Sequence, residues 1–361
     1  MGQKRREIKN MERQESYHPD TNEGINNNQL LRVVKDRIVK LGIRPNENLG
    51  QHFLVDQASI DLLAQSVHPG NTVIEVGTGV GQLTEALAEK AGKVISIEID
   101  QRYEPILTDI TNRYPNIQVI FGDAVALKLQ DLIPKQKDGE GVQIVANLPF
   151  HITEPFLHKI VGLPIENVTL VVGQRLALAI KALSEDSPDF GQLTLLAQTF
   201  FDINVLSTVE KQKSFPVPRT DSVIIRLTPK EEHEFRSNKR DFLFRRLFLT
   251  AKRNPLVKNC LKEGLIEFER VKQMGTLSKK EHNHRLRSSA RVALKRLVDE
   301  YNHSRGTAPT PQKPTEEDLK QLSQNQARSI IDKMNIPESI LSKPFEQLNN
   351  NELEILSKAL R

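Results

Sequence analysis

The sequence predicts an α/β fold: a seven-stranded Rossmann-like domain, its sheet mainly parallel, followed by a smaller C-terminal helical domain. Three observations lead there. Seven short β-branched runs lie between residues 72 and 227, and amphipathic stretches separate the first five. The β signal stops after Pro229, where helical periodicity takes over. The length, 361 residues, suits one large domain with one smaller unit.

In chain order, residues 1–28 are polar, end in NEGINNNQ and are expected to form a disordered tail. LLRVVKDRIVKL (30–41) is apolar at helical spacing and predicts the first helix. TVIEV (72–76), KVISIE (93–98), IQVIF (117–121), QIVAN (143–147) and VTLVV (168–172) predict strands, with GQLTEALAEKA (81–91) and PFLHKIVGL (155–163) among the helices between them. Strand and helix in alternation require right-handed crossovers, which cover both faces of a parallel sheet. INVLSTV (203–209) and SVIIRL (222–227) are joined by only a dozen residues, many of them Pro, so a terminal hairpin with one antiparallel strand is expected. The large domain thus spans 29–229.

Beyond it, FLFRRLFLTAKR (242–253) and RLRSSARVALKRLVDEYNH (285–303) have helical spacing. GTAPTPQKPTEED (306–318) reads as a polar linker, and LKQLSQNQARSIIDKMNI and NNNELEILSKAL as two closing helices. Residues 230–361 therefore form a helical unit, with an insertion or linker around 275–325.

Composition removes several function classes. No run approaches the roughly 20 apolar residues of a bilayer span, and the first 20 residues lack a signal-peptide core and carry four acids. A cytoplasmic monomer is expected. Cys260 is the single cysteine, which excludes an internal disulfide and any zinc site with two thiolates. His282 and His284 lie in a polar run with no carboxylate pair beside them, and no metal is expected. Between Arg236 and Arg305 stand 19 Lys+Arg against 7 Asp+Glu, a net +12 within a chain of net +5, so the remainder carries −7. Basic residues concentrated in this way release counterions from a phosphate backbone, so the helical unit is expected to bind RNA. A membrane-surface helix fits less well, because the block has no clean apolar face with aromatic anchors.

The chemistry is concentrated at strand ends. In VIEVGTGVGQLT a strand carrying Glu75 runs into Gly77, Gly79 and Gly81 before a helix, a loop whose backbone can approach a ligand closely. The third glycine falls at 81 and Gln82 takes the place that a dinucleotide fingerprint needs, so the spacing suits the E/DxGxGxG loop of S-adenosylmethionine enzymes. Glu98 ends the second strand, where a carboxylate can accept ribose hydroxyls, and Asp123 follows the third, where it can take the amine of a cofactor adenine. The fourth strand ends in Asn147-Leu148-Pro149-Phe150. An aromatic exocyclic amine is a poor nucleophile, since its lone pair is delocalised into the ring. Acceptors at the Asn147 side chain and at a backbone carbonyl near Leu148 favour a more nucleophilic nitrogen. Pro149 fixes the backbone, and Phe150 offers a ring for a flipped base.

These motifs resemble the rRNA adenine N6-dimethyltransferases, the family of the small-subunit rRNA enzymes and the macrolide-resistance 23S rRNA methyltransferases. The resemblance spans about residues 44–229 and rests on LGQHFLVD (49–56), EVGTGVG (75–81), SIEID (96–100), GDA (122–124), NLPF (147–150) and SFPVPRTDSVIIRL (214–227). It implies an S-adenosylmethionine-dependent rRNA adenine N6-methyltransferase acting on rRNA or a ribosomal precursor particle, with dimethylation expected. It implies that Gln51, His52 and Leu54 line the cofactor pocket with Gly77 and Gly79. Glu98 would sit at the ribose, Asp123 at the cofactor adenine, Asn147, Pro149 and Phe150 around the target base, and Phe215 as a second aromatic wall. Two departures stand out. Phe150 replaces a common tyrosine, and helix 174–183 reads QRLALAIKAL, keeping a basic residue in Arg175 but placing Leu176 where the family has an acid. Arg175, Arg245, Arg246, Lys252 and Arg253 are the expected RNA contacts. Two alternatives stay open on the residues alone: a non-catalytic RNA-binding or ribosome-assembly protein on the same fold, and a small-molecule methyltransferase, which would leave the basic block without a role.

Overall fold

A computed structural model describes residues 23–46, 50–134, 141–149, 151–181, 187, 189–231, 238–250, 255–273 and 316–360. Compact packing divides the chain into two units, Met1–Lys230 and Glu231–Arg361.

The first unit opens with α1 (Glu23–Leu41), whose first six residues lie inside the stretch expected to be a tail. Its Asn-rich beginning has no apolar periodicity to mark it. A two-residue strand β1 (Phe53–Leu54) follows, then α2 (Gln57–Gln65), whose N-cap Asp56 accepts from the Ser59 amide. The doubly wound core runs β2 (Thr72–Val76), α3 (Gln82–Ala88), β3 (Lys93–Glu98), α4 (Glu104–Arg113), β4 (Ile117–Phe121), α5 (Leu129–Leu132), β5 (Val142–Asn147), α6 (Thr153–Ile160) and β6 (Asn167–Gly173). It ends with α7 (Gln174–Ile180), α8 (Gln192–Phe200), β7 (Phe201–Val209), β8 (Ser214–Phe215) and β9 (Ser222–Pro229). The strand order is β4-β3-β2-β5-β6-β9-β7, seven strands as predicted. β9 alone runs against its neighbours β6 and β7, the terminal hairpin read from the short Pro-rich connection. All five residues of β2 and all seven of β6 are buried, because helices cover both faces. β1 pairs with β8 in a separate two-stranded ribbon, Phe53 opposite Phe215.

In the second unit, α9 (Lys239–Thr250) packs on α10 (Val257–Gln273). A Cβ on Gly264 would lie 2.8 Å from Leu243 Cδ2, so the glycine permits the close approach. Phe242 and Phe268 meet edge to face at 5.4 Å, and Phe345 receives Phe248 at 4.9 Å. α11 (Glu316–Lys333), α12 (Glu338–Leu341) and α13 (Asn350–Ala359) complete it, the last held by a reciprocal cap between Asn349 and Glu352. α11 begins inside the stretch expected to be a linker. The predicted helix 285–303 and the residues 275–315 of the expected insertion lie outside the described residues.

Candidate active site

The carboxyl ends of the parallel strands share one edge of the sheet, since Glu75 lies beside Ser96 on β3 and beside Val145 on β5. β2 is where the chain order turns from β2-β3-β4 to β5-β6, the point at which open α/β sheets bind ligands. An open cleft lies there, lined from the glycine loop across to the turn after β5.

The glycine loop forms one wall. Gly77, Gly79 and Gly81 have φ of +82°, +55° and +86°, and the loop delivers the chain to α3 with Gly81 as its N-cap. A Cβ on Gly79 would stand 2.8 Å from Phe53 Cε1, and one on Gly81 only 2.2 Å from Ile110 Cδ1. Gly79 and Gly81 are therefore seated with no room for a side chain, whereas a Cβ on Gly77 would meet nothing closer than 3.6 Å. Glu98 fastens it from the next strand: Oε2 accepts the Gly79 amide at 2.7 Å and Oε1 the Asp100 amide at 2.9 Å. Burial raises the Glu98 carboxyl above its ordinary range, against the pull of those amides.

Glu75 lies beneath the loop and does not line the cleft. It is fully buried, and its Oε2 accepts from the hydroxyls of Thr84 at 2.7 Å and Ser96 at 2.6 Å, while Oε1 has no partner among the described residues. Ser96 shares a 2.6 Å hydrogen bond with Thr78 in the loop. Burial pushes the Glu75 carboxyl up to about 8, so at neutral pH it is mostly the uncharged acid. Its place supports the loop instead of presenting a carboxylate to a ligand.

Gln51, His52 and Leu54 come in from the segment before and within β1. Gln51 accepts the Asn46 amide at 2.7 Å and donates to Asp100 at 2.9 Å. Arg102 hydrogen bonds hold the Asp100 carboxyl down to about 2, helped by Gln51 and opposed by burial. Asp123 is exposed on the cleft wall and caps its own turn through the Val125 amide at 2.8 Å. The cleft is also lined by residues that were not singled out in the sequence, among them Phe53, Thr78, Ile99, Tyr103 and Ile152. For Ile99 the one available signal was its place between Glu98 and Asp100.

At the end of β5 the Asn147 amide Nδ2 donates to the His52 carbonyl at 3.0 Å. A carbonyl only accepts, so this bond fixes the amide orientation and leaves Oδ1 as an acceptor without a partner among the described residues. The Leu148 side chain is buried and its amide donates to Val171 O at 3.3 Å. The Pro149 carbonyl is occupied by the Ile152 amide at 3.1 Å and the Thr153 hydroxyl at 3.2 Å. His52 Nδ1 meets the Pro216 carbonyl at 2.8 Å, which ties this corner to β8. Phe215 is half-buried, packs on the core and carries the Lys35 ammonium 5.1 Å from its ring centroid; its side chain is not part of the cleft lining. Phe150 lies outside the described residues.

The cleft thus brings together Gln51, His52, Leu54, Gly77, Gly79, Glu98, Asp123, Asn147 and Pro149, while Glu75, the Leu148 side chain and Phe215 are not part of its lining. Among the expected RNA contacts, Arg175 is exposed at the start of α7 and Arg245 is half-buried on α9. Arg246 is turned inward: it pairs with Glu263 at 2.5 Å and with Glu267, both on α10. Its charge is answered inside the helical unit. Lys252 and Arg253 lie outside the described residues.

The sequence profile of the family described as "Ribosomal RNA adenine dimethylase" matches residues 42–292. The ribosomal RNA small subunit methyltransferase A of Alkaliphilus oremlandii is 32% identical over 246 residues, 65% of this chain and 84% of its own length. That of Oceanobacillus iheyensis is 34% identical over 235 residues, 63% of this chain and 79% of its own. Among solved structures, a dimethyladenosine transferase from Plasmodium falciparum superposes with a TM-score of 0.47 at 22% identity, over 84% of this chain and 96% of its own. Nothing in these likenesses favours the non-catalytic alternative.

Proposed function

The chain belongs to the ribosomal RNA adenine dimethylase family and is an S-adenosylmethionine-dependent rRNA adenine methyltransferase; on that footing we propose that it dimethylates the exocyclic amine of adenine in small-subunit rRNA, with Asn147 and the Leu148 carbonyl receiving that amine. The small-subunit target is taken from the names of its relatives.

The observation that carries the site assignment is the Asn147 amide, locked by the His52 carbonyl so that Oδ1 is presented as an open acceptor. Hydrogen bonds from the amine to Oδ1 and to the Leu148 carbonyl draw the nitrogen towards a tetrahedral, nucleophilic form. The residues present fit the cofactor: Gly77 and Gly79 give the cleft a backbone-lined cradle, against which Phe53 packs so closely that a Cβ on Gly79 would stand 2.8 Å from its ring, and the Glu98 and Asp123 carboxylates lie on the same wall. Gln51, His52, Leu54, Gly77, Gly79, Glu98 and Asp123 would hold it, with Glu98 at the ribose and Asp123 at the adenine, while Glu75 supports the loop from below. When bound, S-adenosylmethionine supplies an electrophilic methyl on a sulfonium sulphur. Asn147 and the Leu148 carbonyl would hold the amine nitrogen towards that methyl, and the proton the amine sheds on accepting it would pass to water. The protein's share is alignment of two reactants in one cleft. Phe150 and Phe215 belong to the target-base wall in this reading, and Arg175, Arg245, Lys252 and Arg253 to the RNA-facing surface. A cytoplasmic monomer is part of the same reading; no described helix is long and apolar enough to cross a membrane.

Purified chain, labelled S-adenosylmethionine and each rRNA tested separately, followed by digestion to nucleosides, provides the test. Label in N6,N6-dimethyladenosine from small-subunit RNA is expected. Label confined to large-subunit RNA would overturn the target assignment.

A further inference from the structure

On α1 the basic side chains are answered one by one by acids. Arg32 faces Asp36 at 4.0 Å, Arg37 binds Glu85 at 2.6 Å and the Val80 carbonyl at 2.8 Å, and Lys40 binds Asp109 at 2.8 Å. Lys35 is the exception. It is exposed, no acid pairs with it among the described residues, and its ammonium rests over the Phe215 ring, 5.1 Å from the centroid.

That ring packs on the core from the strand pair that borders the candidate site. Phe215 lies opposite Phe53 in the β1–β8 ribbon, and Phe53 touches the glycine loop at Gly79. The next residue, Pro216, accepts from His52, and the His52 carbonyl holds the Asn147 amide. Lys35 is thus an exposed cation, with no acid partner among the described residues, a short chain of contacts from the acceptor proposed to receive the target amine.

An exposed cation–π contact is weak, about 0.5–1 kcal/mol. It restricts where the flexible lysine stem places its charge without neutralising that charge. A better partner for an ammonium is an anion, and a nucleotide presented at Asn147 carries phosphates on both sides of its sugar. We infer that Lys35 is a phosphate contact for the rRNA strand that delivers the target adenine, held ready over Phe215 until the strand arrives. The inference rests on the assignment of the target base to the turn after β5.

RNA binding is measured by anisotropy on a small-subunit rRNA fragment between 50 and 200 mM KCl, for the full chain and for Lys35→Gln and Lys35→Arg, beside calorimetric titration with S-adenosylmethionine. Removing one phosphate contact makes the slope of log K against log salt shallower by about 0.7–0.9. Lys35→Gln is expected to show that change with a raised KM for RNA, unchanged kcat and unchanged cofactor affinity, and Lys35→Arg to restore the slope. An unaltered slope in Lys35→Gln overturns the inference. So does a loss of cofactor affinity matching the loss of RNA affinity, which would mean that Lys35 serves only to seat Phe215. Failure of the turn assignment is recognised separately, by an Asn147→Ala chain that still methylates.

Discussion

Replacing Glu75 by Gln isolates what it costs to bury an acid beneath the cofactor loop. The carboxyl is fully buried and its pKa rises from 4.5 to about 8, chiefly through burial, with the Ser96 and Thr84 hydroxyls pulling the other way. The folded chain therefore keeps a proton that the unfolded chain releases, and stability falls as pH rises through this window. At about 1.4 kcal/mol per pKa unit, the loss between pH 5 and pH 8 is about 3 kcal/mol, and it levels off above the folded value. Glutamine keeps an acceptor for both hydroxyls but has no proton to lose. Its NH2 would stand where Oε1 has no partner among the described residues, an offset of about 1–3 kcal/mol that does not vary with pH. Glu98, also raised by burial, is present in both chains, and its like charge is the smallest of the causes acting on Glu75. Urea unfolding at pH 5, 6.5 and 8 should therefore show the difference between Glu75→Gln and the parent moving in favour of the variant by about 3 kcal/mol across the series. Parallel pH curves would refute a neutral Glu75.

Gly79→Ala places a Cβ 2.8 Å from Phe53 Cε1 at φ +55°; S-adenosylmethionine binding by calorimetry should weaken by about tenfold or more, and unchanged affinity would contradict the cradle. Gly81→Ala and Gly70→Ala form a pair with nearly equal φ, +86° and +85°, but only the first meets an obstacle, Ile110 Cδ1 at 2.2 Å. Both should lose about 1–2 kcal/mol to left-handed strain, and Gly81→Ala about 1–3 kcal/mol more to overpacking; equal urea midpoints would contradict this. Arg246→Gln breaks pairs with Glu263 and Glu267, whose side chains are 66% and 45% exposed. Solvent screening limits the cost to about 1 kcal/mol per pair or less, and the salt dependence of RNA binding should not change; a shallower slope would return Arg246 to the RNA surface.

Much of the sheet was legible because its strands obey a local rule. KVISIE and IQVIF are short, β-branched and bounded by polar turns, and they are strands over the same residues in the structure. The β1–β8 ribbon was not legible: two residues on each side carry no periodicity, and their pairing spans 160 residues of chain. The onset of α1 was hidden for a similar reason, since EGINNN has neither an apolar stripe nor strong helix formers. In the site, glycines and strand-end carboxylates announced themselves through spacing. What spacing could not reveal was direction. Glu75 and Glu98 end successive strands, yet Glu75 turns beneath the loop to Ser96 and Thr84, while Glu98 turns to the Gly79 amide at the cleft. Arg246 looked like its neighbour Arg245 within a basic run, and its partners stand 17 and 21 residues away on the next helix.

The most direct test of the catalytic assignment compares Asn147→Ala with the parent chain in two measurements on one preparation: calorimetric affinity for S-adenosylmethionine, and transfer of label to adenine in small-subunit rRNA. Loss of an interaction made mainly in the transition state should lower kcat by about 10²–10³, while cofactor affinity stays close to that of the parent. Methyl transfer at the parental rate by Asn147→Ala would contradict the account.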